Sequence, residues 1–158
     1  MIDNEALARR AVACPAWRWM RGMRANVDVA FWHEFSEELT IHHADDDGIW
    51  WVARNGFTGG PGARYQNFPP CLPDLTDPAT LGCLLAMVRE AVGTRRVSVA
   101  VRPVEKPGRS GLFMVDGGEL WFVIGDGALS EKPLAVGASE AEALVAALEA
   151  APVREVKS

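Results

Sequence analysis

Apolar residues recur at helical spacing in two segments near the ends of the chain. Residues 3–14 predict a helix capped by Asp3 or Asn4, because these side chains accept hydrogen bonds from the first N–H groups of a helix. Near the other end, a capping box opens at Ser139, and an apolar stripe follows until Pro152 ends the pattern. Each segment therefore predicts an amphipathic helix that packs one face against a core.

The longest helical pattern lies in the middle of the chain, over residues 77–92. Asp77 is its predicted cap, Pro78 takes the first helical position, and Gly93 follows as a left-handed C-terminal cap. The predicted buried stripe consists of Leu81, Leu84, Leu85, Val88 and Val92. This stripe predicts which face of the helix contacts the core.

Alternation of apolar and polar positions predicts strands in most of the remaining chain. Residues 26–35 fit both a strand and a helical stripe, and we favour a strand. Residues 38–54 predict a hairpin around the sequence ADDDG, because an aromatic and β-branched segment follows that turn. A three-strand meander is predicted from residues 95–101, 111–115 and 119–124, with the sequence DGG as the turn between the last two.

This order of elements predicts the α+β class, with a mainly antiparallel sheet and about three helices packed on it. No segment shows the continuous apolar run that is typical of buried parallel strands. The length of 158 residues fits a single domain over 1–158. That domain includes a loop at 55–73, rich in glycine and proline, and a frayed polar tail at 153–158.

Composition narrows the classes of function. The formal net charge is −5, which argues against direct nucleic-acid binding, since such proteins neutralise phosphates with an excess of cations. No apolar run approaches the roughly 18 residues of a membrane span, and the acidic N-terminus lacks the apolar core of a signal peptide. The spacing of Cys14, Cys71 and Cys83 is not that of a disulfide framework, and Cys83 is expected in the core. We therefore expect a cytoplasmic protein without a membrane partner.

Sequence signatures of catalysis and of cofactor binding are absent. No serine lies in GxSxG, and His33 with Glu34 does not complete HExxH. The segment IHHADDDG offers imidazole and carboxylate groups to a divalent metal. However, His42 and His43 face opposite sides of a strand, and a solvated turn explains the aspartates. The sequence therefore favours a protein without catalytic residues, metal or cofactor.

One group of residues combines cations, aromatic rings and glycines in an otherwise acidic chain. If the segment CPAWRWMRGMR runs extended, it places Trp17, Trp19 and Arg21 on one side. Alternatively, both tryptophans are core residues and the arginines reach solvent. The loop GFTGGPGAR lets backbone N–H groups approach an anion, or is a simple connector without the P-loop pattern. The predicted ligand-binding residues are Trp17, Arg18, Arg21, Arg54, Arg64 and Tyr65.

Three stretches together resemble a family of small proteins encoded by bacteriophages and prophages. They are ALARRAVACPAWRWMRGMR (6–24), LPDLTDPATLGCLLAMVREA (72–91) and GASEAEALVAALEAAP (137–152). More distantly, the arrangement is similar to phage α-β-α sandwich proteins. The resemblance implies a phage origin, and hence the cytoplasm of a bacterial host cell, and it carries over no catalytic residues.

Two hypotheses of function follow. The first is a phage-encoded counter-defence protein that acts as a sponge for a small nucleotide immune signal, as a homo-oligomer with sites between subunits. The second is an anti-CRISPR-like inhibitor that occupies a basic channel of a host defence protein through Glu37, Glu38 and Asp45–Asp47. A small hydrolase is a third, weaker alternative. A homo-oligomer is expected because the predicted hairpin at 111–124 would form an open sheet edge.

Overall fold

The computed structural model describes residues 3–27, 38–63, 71–107, 113–125 and 133–152. Within these residues the chain forms three helices and two antiparallel sheets, which confirms the predicted α+β class. In chain order the elements are α1 (Asn4–Ala13), β1 (Arg24–Val27), β2 (Glu38–Asp45), β3 (Gly48–Ala53), β4 (Thr58–Gly59), β5 (Cys71–Pro73), α2 (Pro78–Val92), β6 (Ser98–Pro107), β7 (Phe113–Ile124), β8 (Ala135–Gly137) and α3 (Glu140–Ala150). The chain divides into two compact units, Met1–Cys83 and Leu84–Ser158, and the single domain over 1–158 stays a prediction.

The first unit contains a five-stranded sheet in the order β4-β3-β2-β1-β5. Buried side chains alternate with exposed ones along its strands, as expected for a sheet with one buried face. The buried residues of the inner face are Ala25, Val27, Leu39, Ile41, Trp51 and Ala53. β2 and β3 confirm the hairpin predicted at 38–54. β1 covers the start of the strand predicted at 26–35, and residues 28–35 lie outside the described residues.

A β-bulge interrupts the ladder between β2 and β3. Ile41 pairs with Trp51 and His43 pairs with Trp50, so His42 is an extra residue in β2. A bulge of this kind changes the direction in which the following side chains point. As a result, His43 shares the outer face of the sheet with Trp50, and both His42 and His43 are exposed.

The prediction of an irregular loop over 55–73 is wrong at two places. In β4, Gly59 pairs with Trp51, and in β5, Cys71 pairs with Val27. These strands contain only 2 and 3 residues. Segments so short carry too little alternation for a period-two pattern to reveal them.

The first helix agrees with its prediction. The Asp3 carboxylate caps α1 by accepting hydrogen bonds from the N–H groups of Glu5 and Ala6, each at 3.1 Å. Leu7 and Ala11 are buried along the predicted apolar stripe.

A buried threonine links the start of α2 to β1. Asp77 caps the helix as predicted, and its Oδ2 accepts from the Thr80 N–H at 2.8 Å and from the Thr80 hydroxyl at 3.0 Å. The Thr80 oxygen in turn accepts the backbone N–H of Arg24 at 2.9 Å. At the other end of the helix, Gly93 has a φ of 81°, which confirms the predicted left-handed cap.

The buried face of α2 is only partly the predicted stripe. Its fully buried residues are Thr80, Leu84, Met87 and Val88. Leu81, Leu85 and Val92, which were predicted on the same face, are half-buried. The difference arises because a threonine with satisfied hydrogen bonds takes a core position that apolar patterning assigns to leucine.

The second unit contains a three-stranded sheet in the order β6-β7-β8, with α3 in contact with β7 and β8. The predicted capping box is present, because Ser139 Oγ accepts the Glu142 N–H at 3.1 Å. Leu144, Val145 and Leu148 of α3 are buried, as the apolar stripe predicts.

The sequence DGG does not form the predicted turn. Strand β7 is continuous through it, and Asp116–Gly118 lie opposite one residue of β6 as a bulge. Glycine in a strand is typical of such bulges because it tolerates the altered backbone. The third strand of this sheet is β8, which the sequence analysis missed.

The edge on which the homo-oligomer prediction rests is covered only in part. β8 pairs with β7 at Trp121, Phe122 and Val123, whereas β7 runs over Phe113–Ile124. The homo-oligomer stays a prediction.

Candidate functional site

The tryptophan- and arginine-rich segment before β1 packs partly on the core. Its largest fully buried side chain is Met23, whereas Trp17 and Trp19 are half-buried and pack edge to face with ring centroids 5.6 Å apart. The Gly22 N–H donates to the Ile41 carbonyl at 2.8 Å, which fixes the chain as it enters the sheet. Trp17 and Trp19 are therefore packed only in part, and Met23 is the fully buried side chain of this segment.

Arg54 is the predicted ligand-binding residue that lines a depression on the outer face of the five-stranded sheet. Trp17, Arg18 and Arg21 lie in the segment before β1 and do not line this depression. Two further predicted residues, Arg64 and Tyr65, lie outside the described residues. The roles of these five residues stay predictions.

We call this depression, of about 370 Å³, the outer depression. It is lined by Arg24, Glu38, Thr40, Val52, Ala53 and Arg54. In the ladder, Thr40 lies between its partners Arg24 on β1 and Val52 on β3. Two residues after Val52, the Arg54 N–H donates to the Glu38 carbonyl at 3.2 Å. Neighbouring strands are about 4.8 Å apart, and residues two apart along a strand are about 7 Å apart, so the backbones of Arg24 and Arg54 are separated by roughly 12 Å.

Each arginine of the outer depression faces a carboxylate at a long distance. Arg54 Nη1 lies 3.8 Å from Glu38 Oε2, and Arg24 Nε lies 3.4 Å from Asp77 Oδ1. The Arg54 and Glu38 side chains are 78% and 40% exposed, so this ion pair is screened by solvent and contributes little stability. Arg24 is 54% exposed, whereas its partner Asp77 is 9% exposed. Both guanidinium groups are accessible from solvent, so an anionic ligand can approach them.

Arg24 and Thr40 are not among the site residues predicted from the sequence. Their signal is weak, because each is simply a polar residue on the exposed side of a strand. They become neighbours only through the pairing of β1 with β2, which joins residues far apart in sequence.

The acidic turn at Asp45–Asp47 is exposed and locally hydrogen-bonded. Asp45 Oδ1 accepts the N–H groups of Asp47 and Gly48, and Oδ2 lies 2.8 Å from His43 Nε2. This arrangement agrees with a solvated turn. Among the described residues, no three histidine, cysteine, aspartate or glutamate side chains come together as a metal site.

We expect the pKa of Asp45 to lie below the ordinary value of 3.8, because the hydrogen bond from His43 stabilises the carboxylate. The folded-state pKa is lower than the unfolded one, so the stabilisation is present above pH 3.8 and is lost as the pH falls through the folded-state pKa. An NMR titration of the carboxyl carbon measures it, and His43→Ala should return the pKa towards 3.8. An identical Asp45 pKa in both proteins would contradict this assignment.

The three cysteines are free thiols. Cys83 is half-buried, which corrects the prediction that it is a core residue, and its Sγ donates to the Arg21 carbonyl at 3.7 Å. Burial raises the pKa of Cys71 to about 12, and burial together with Asp77 raises the pKa of Cys83. Both side chains are therefore protonated at neutral pH, which makes them poor nucleophiles.

The fold and the site together define an α+β protein with a polar, arginine-bearing outer face on its larger sheet. Comparison with protein-family models, curated proteins and solved structures finds no match to this chain. Among the described helices, none has the length and apolar character to cross a membrane.

Proposed function

We propose that the protein binds a small phosphate-bearing anion, a nucleotide, in the outer depression. The observation that carries this proposal is that Arg24 on β1 and Arg54, which directly follows β3, line one open depression with Thr40 on the intervening strand β2. Guanidinium groups bind phosphate oxygens bidentately, and a hydroxyl adds a further donor. Arg24 and Thr40 lie on strands that are paired on both sides, and the Arg54 N–H is hydrogen-bonded to the Glu38 carbonyl, so the ligand contacts start from a hydrogen-bonded backbone.

The carboxylates beside the two arginines lie farther away than a phosphate could. A charge-assisted hydrogen bond between guanidinium and an anion is about 2.7–2.9 Å long. The 3.8 Å between Arg54 and Glu38 and the 3.4 Å between Arg24 and Asp77 are both longer. A phosphate therefore gains shorter contacts than the carboxylates provide, while Glu38 opposes it as a like charge.

The biological role follows from combining this site with the sequence resemblance. A phage-encoded chain with an anion site and no recognisable catalytic motif fits a counter-defence protein that sequesters a small nucleotide immune signal. In this proposal it acts in the cytoplasm of a bacterial host cell, as a homo-oligomer, without direct binding to nucleic acid or membrane.

The alternative is an anti-CRISPR-like inhibitor that uses an acidic surface against a host defence protein. Glu38 and Asp45 lie at opposite ends of β2, which places their backbones about 24 Å apart. Glu38 also lies beside Arg54, and Glu37 is outside the described residues. Among the described residues of this acidic set, only Asp45–Asp47 lie together, so the nucleotide site has the better support.

Arg54→Ala is expected to weaken nucleotide binding about ten- to a hundredfold, because a hydrogen bond to a charged group contributes about 1.5–3 kcal/mol. Glu38→Gln is expected to tighten binding, because it removes the like charge from the outer depression. Calorimetric titration with a panel of cyclic and linear nucleotides measures both effects. The thermal stability of Arg54→Ala should stay close to that of the wild type, because the side chain is 78% exposed.

Arg9→Ala is the matched control. Arg9 is also an exposed arginine in an ion pair, 2.7 Å from Glu5 Oε1, but it lies on α1. This variant should bind like the wild type. If Arg9→Ala weakens binding as much as Arg54→Ala, the effect is one of net charge and the site is wrong. If the wild type binds no nucleotide, the sequestration hypothesis fails and inhibition of a host protein becomes the better explanation.

A further inference from the structure

Two aromatic side chains lie beside the outer depression, on the same face of the five-stranded sheet. Trp50 precedes Trp51, which is 1% exposed and points inward, so Trp50 points outward. The bulge at His42 places its partner His43 on that face as well. Trp50 is two residues before Val52, which lines the outer depression, so their backbones are about 7 Å apart.

Local contacts hold these two rings in place. The ring centroids of His43 and Trp50 are 5.1 Å apart, and the ring planes are tilted by 47°. His43 Nε2 is 2.8 Å from Asp45 Oδ2, which fixes the imidazole from the turn side. Behind Trp50, the chain passes so closely at Gly60 that an added Cβ would lie 2.5 Å from Cδ1 of the indole.

The resulting pair is partly open to solvent. Trp50 is half-buried, and the His43 side chain is 56% exposed. Rings that are already fixed lose little conformational entropy when a ligand stacks on them. Gly60, which follows β4, thus contributes by packing against the indole, in addition to any role of this loop in approaching an anion.

We propose that Trp50 and His43 form a stacking surface for the base of the nucleotide whose phosphate contacts Arg24 and Arg54. This inference rests on the proposed function of the outer depression. In a nucleotide, one ribose lies between the base and the 5′-phosphate. In the sheet, one pair of residues, Ile41 and Trp51, likewise lies between the His43–Trp50 pair and the residues level with Arg24 and Val52. Every base has a π-face, so stacking favours nucleotides over sugar phosphates as a class.

The test compares adenosine 5′-monophosphate with ribose 5-phosphate, which keeps the phosphate and the ribose and lacks the base. Calorimetric titration of the wild type should give about 5- to 150-fold tighter binding of the nucleotide, the range expected for stacking of one base. Trp50→Leu should remove this difference and leave the affinity for ribose 5-phosphate unchanged. Trp50→Phe, which keeps an aromatic ring, should retain most of it.

His43→Ala provides the second variant, because Trp50 packs on Gly60 and its replacement can disturb the fold. His43 is 56% exposed, so its removal should leave the thermal stability nearly unchanged while it narrows the difference between the two ligands. Equal binding of both ligands by the wild type would overturn the stacking surface and leave the anion site intact. If neither ligand binds to the wild type, both proposals are overturned.

Discussion

Leu84→Ala is expected to lower the free energy of unfolding by about 2–5 kcal/mol, the range for removing a large aliphatic side chain from a core. Leu84 is 0% exposed and lies on α2 among other buried side chains. Its replacement leaves a cavity that neighbouring side chains fill only in part. Chemical denaturation followed by circular dichroism measures the change.

Leu81→Ala is the control for this effect, because it makes the same substitution on the same helix. Leu81 is half-buried, so less apolar surface returns to water and the cavity is shallower. We expect a clearly smaller destabilisation. Equal losses for Leu81→Ala and Leu84→Ala would show that the buried face of α2 is the stripe predicted from the sequence and not the one in the structure.

Gly59→Ala is expected to destabilise the protein by about 1–3 kcal/mol, the range typical of overpacking. A Cβ at this position would overlap the six-membered ring and the Nε1 atom of Trp51. Trp51 is 1% exposed and lies on the inner face, so its ring has little room to move aside. Thermal denaturation measures the loss.

Thr58→Ala is the matched control, since Thr58 precedes Gly59 in β4 and is exposed. It shortens a side chain on the outer face, where no close packing is lost, and its effect should stay within about 0.5 kcal/mol. If Gly59→Ala is as mild as Thr58→Ala, then the close packing of β4 on Trp51 is not present in solution.

The features of the fold that could be predicted from the sequence are those decided by residues close to one another in the chain. The caps at Asp3, Asp77 and Ser139 are each hydrogen-bonded within the first turn that follows, so sequence alone identifies them. The hairpin of β2 and β3 is local in the same sense, because its two strands are joined by a short turn. Side-chain and backbone preferences near one another in sequence decide these features.

The remaining features depend on contacts between distant segments. The sequence DGG fits a turn and a bulge equally well, and the pairing of β7 with β6 decides for the bulge. The site shows the same dependence: Arg54 was predicted from its charge, whereas Arg24 joins it only because β1 pairs with β2. Likewise, nothing local to Gly59 indicates that a tryptophan ring lies against it.

The bulge at His42 also determines where this protein can change in length. In a regular ladder, deleting one codon turns every residue between the deletion and the turn to the opposite face of the sheet. At His42 the opposite holds, because the residue is extra: its loss leaves Ile41 opposite Trp51 and His43 opposite Trp50. Position 42 is therefore a place in β2 where evolution can remove one residue while both faces of the hairpin keep their side chains.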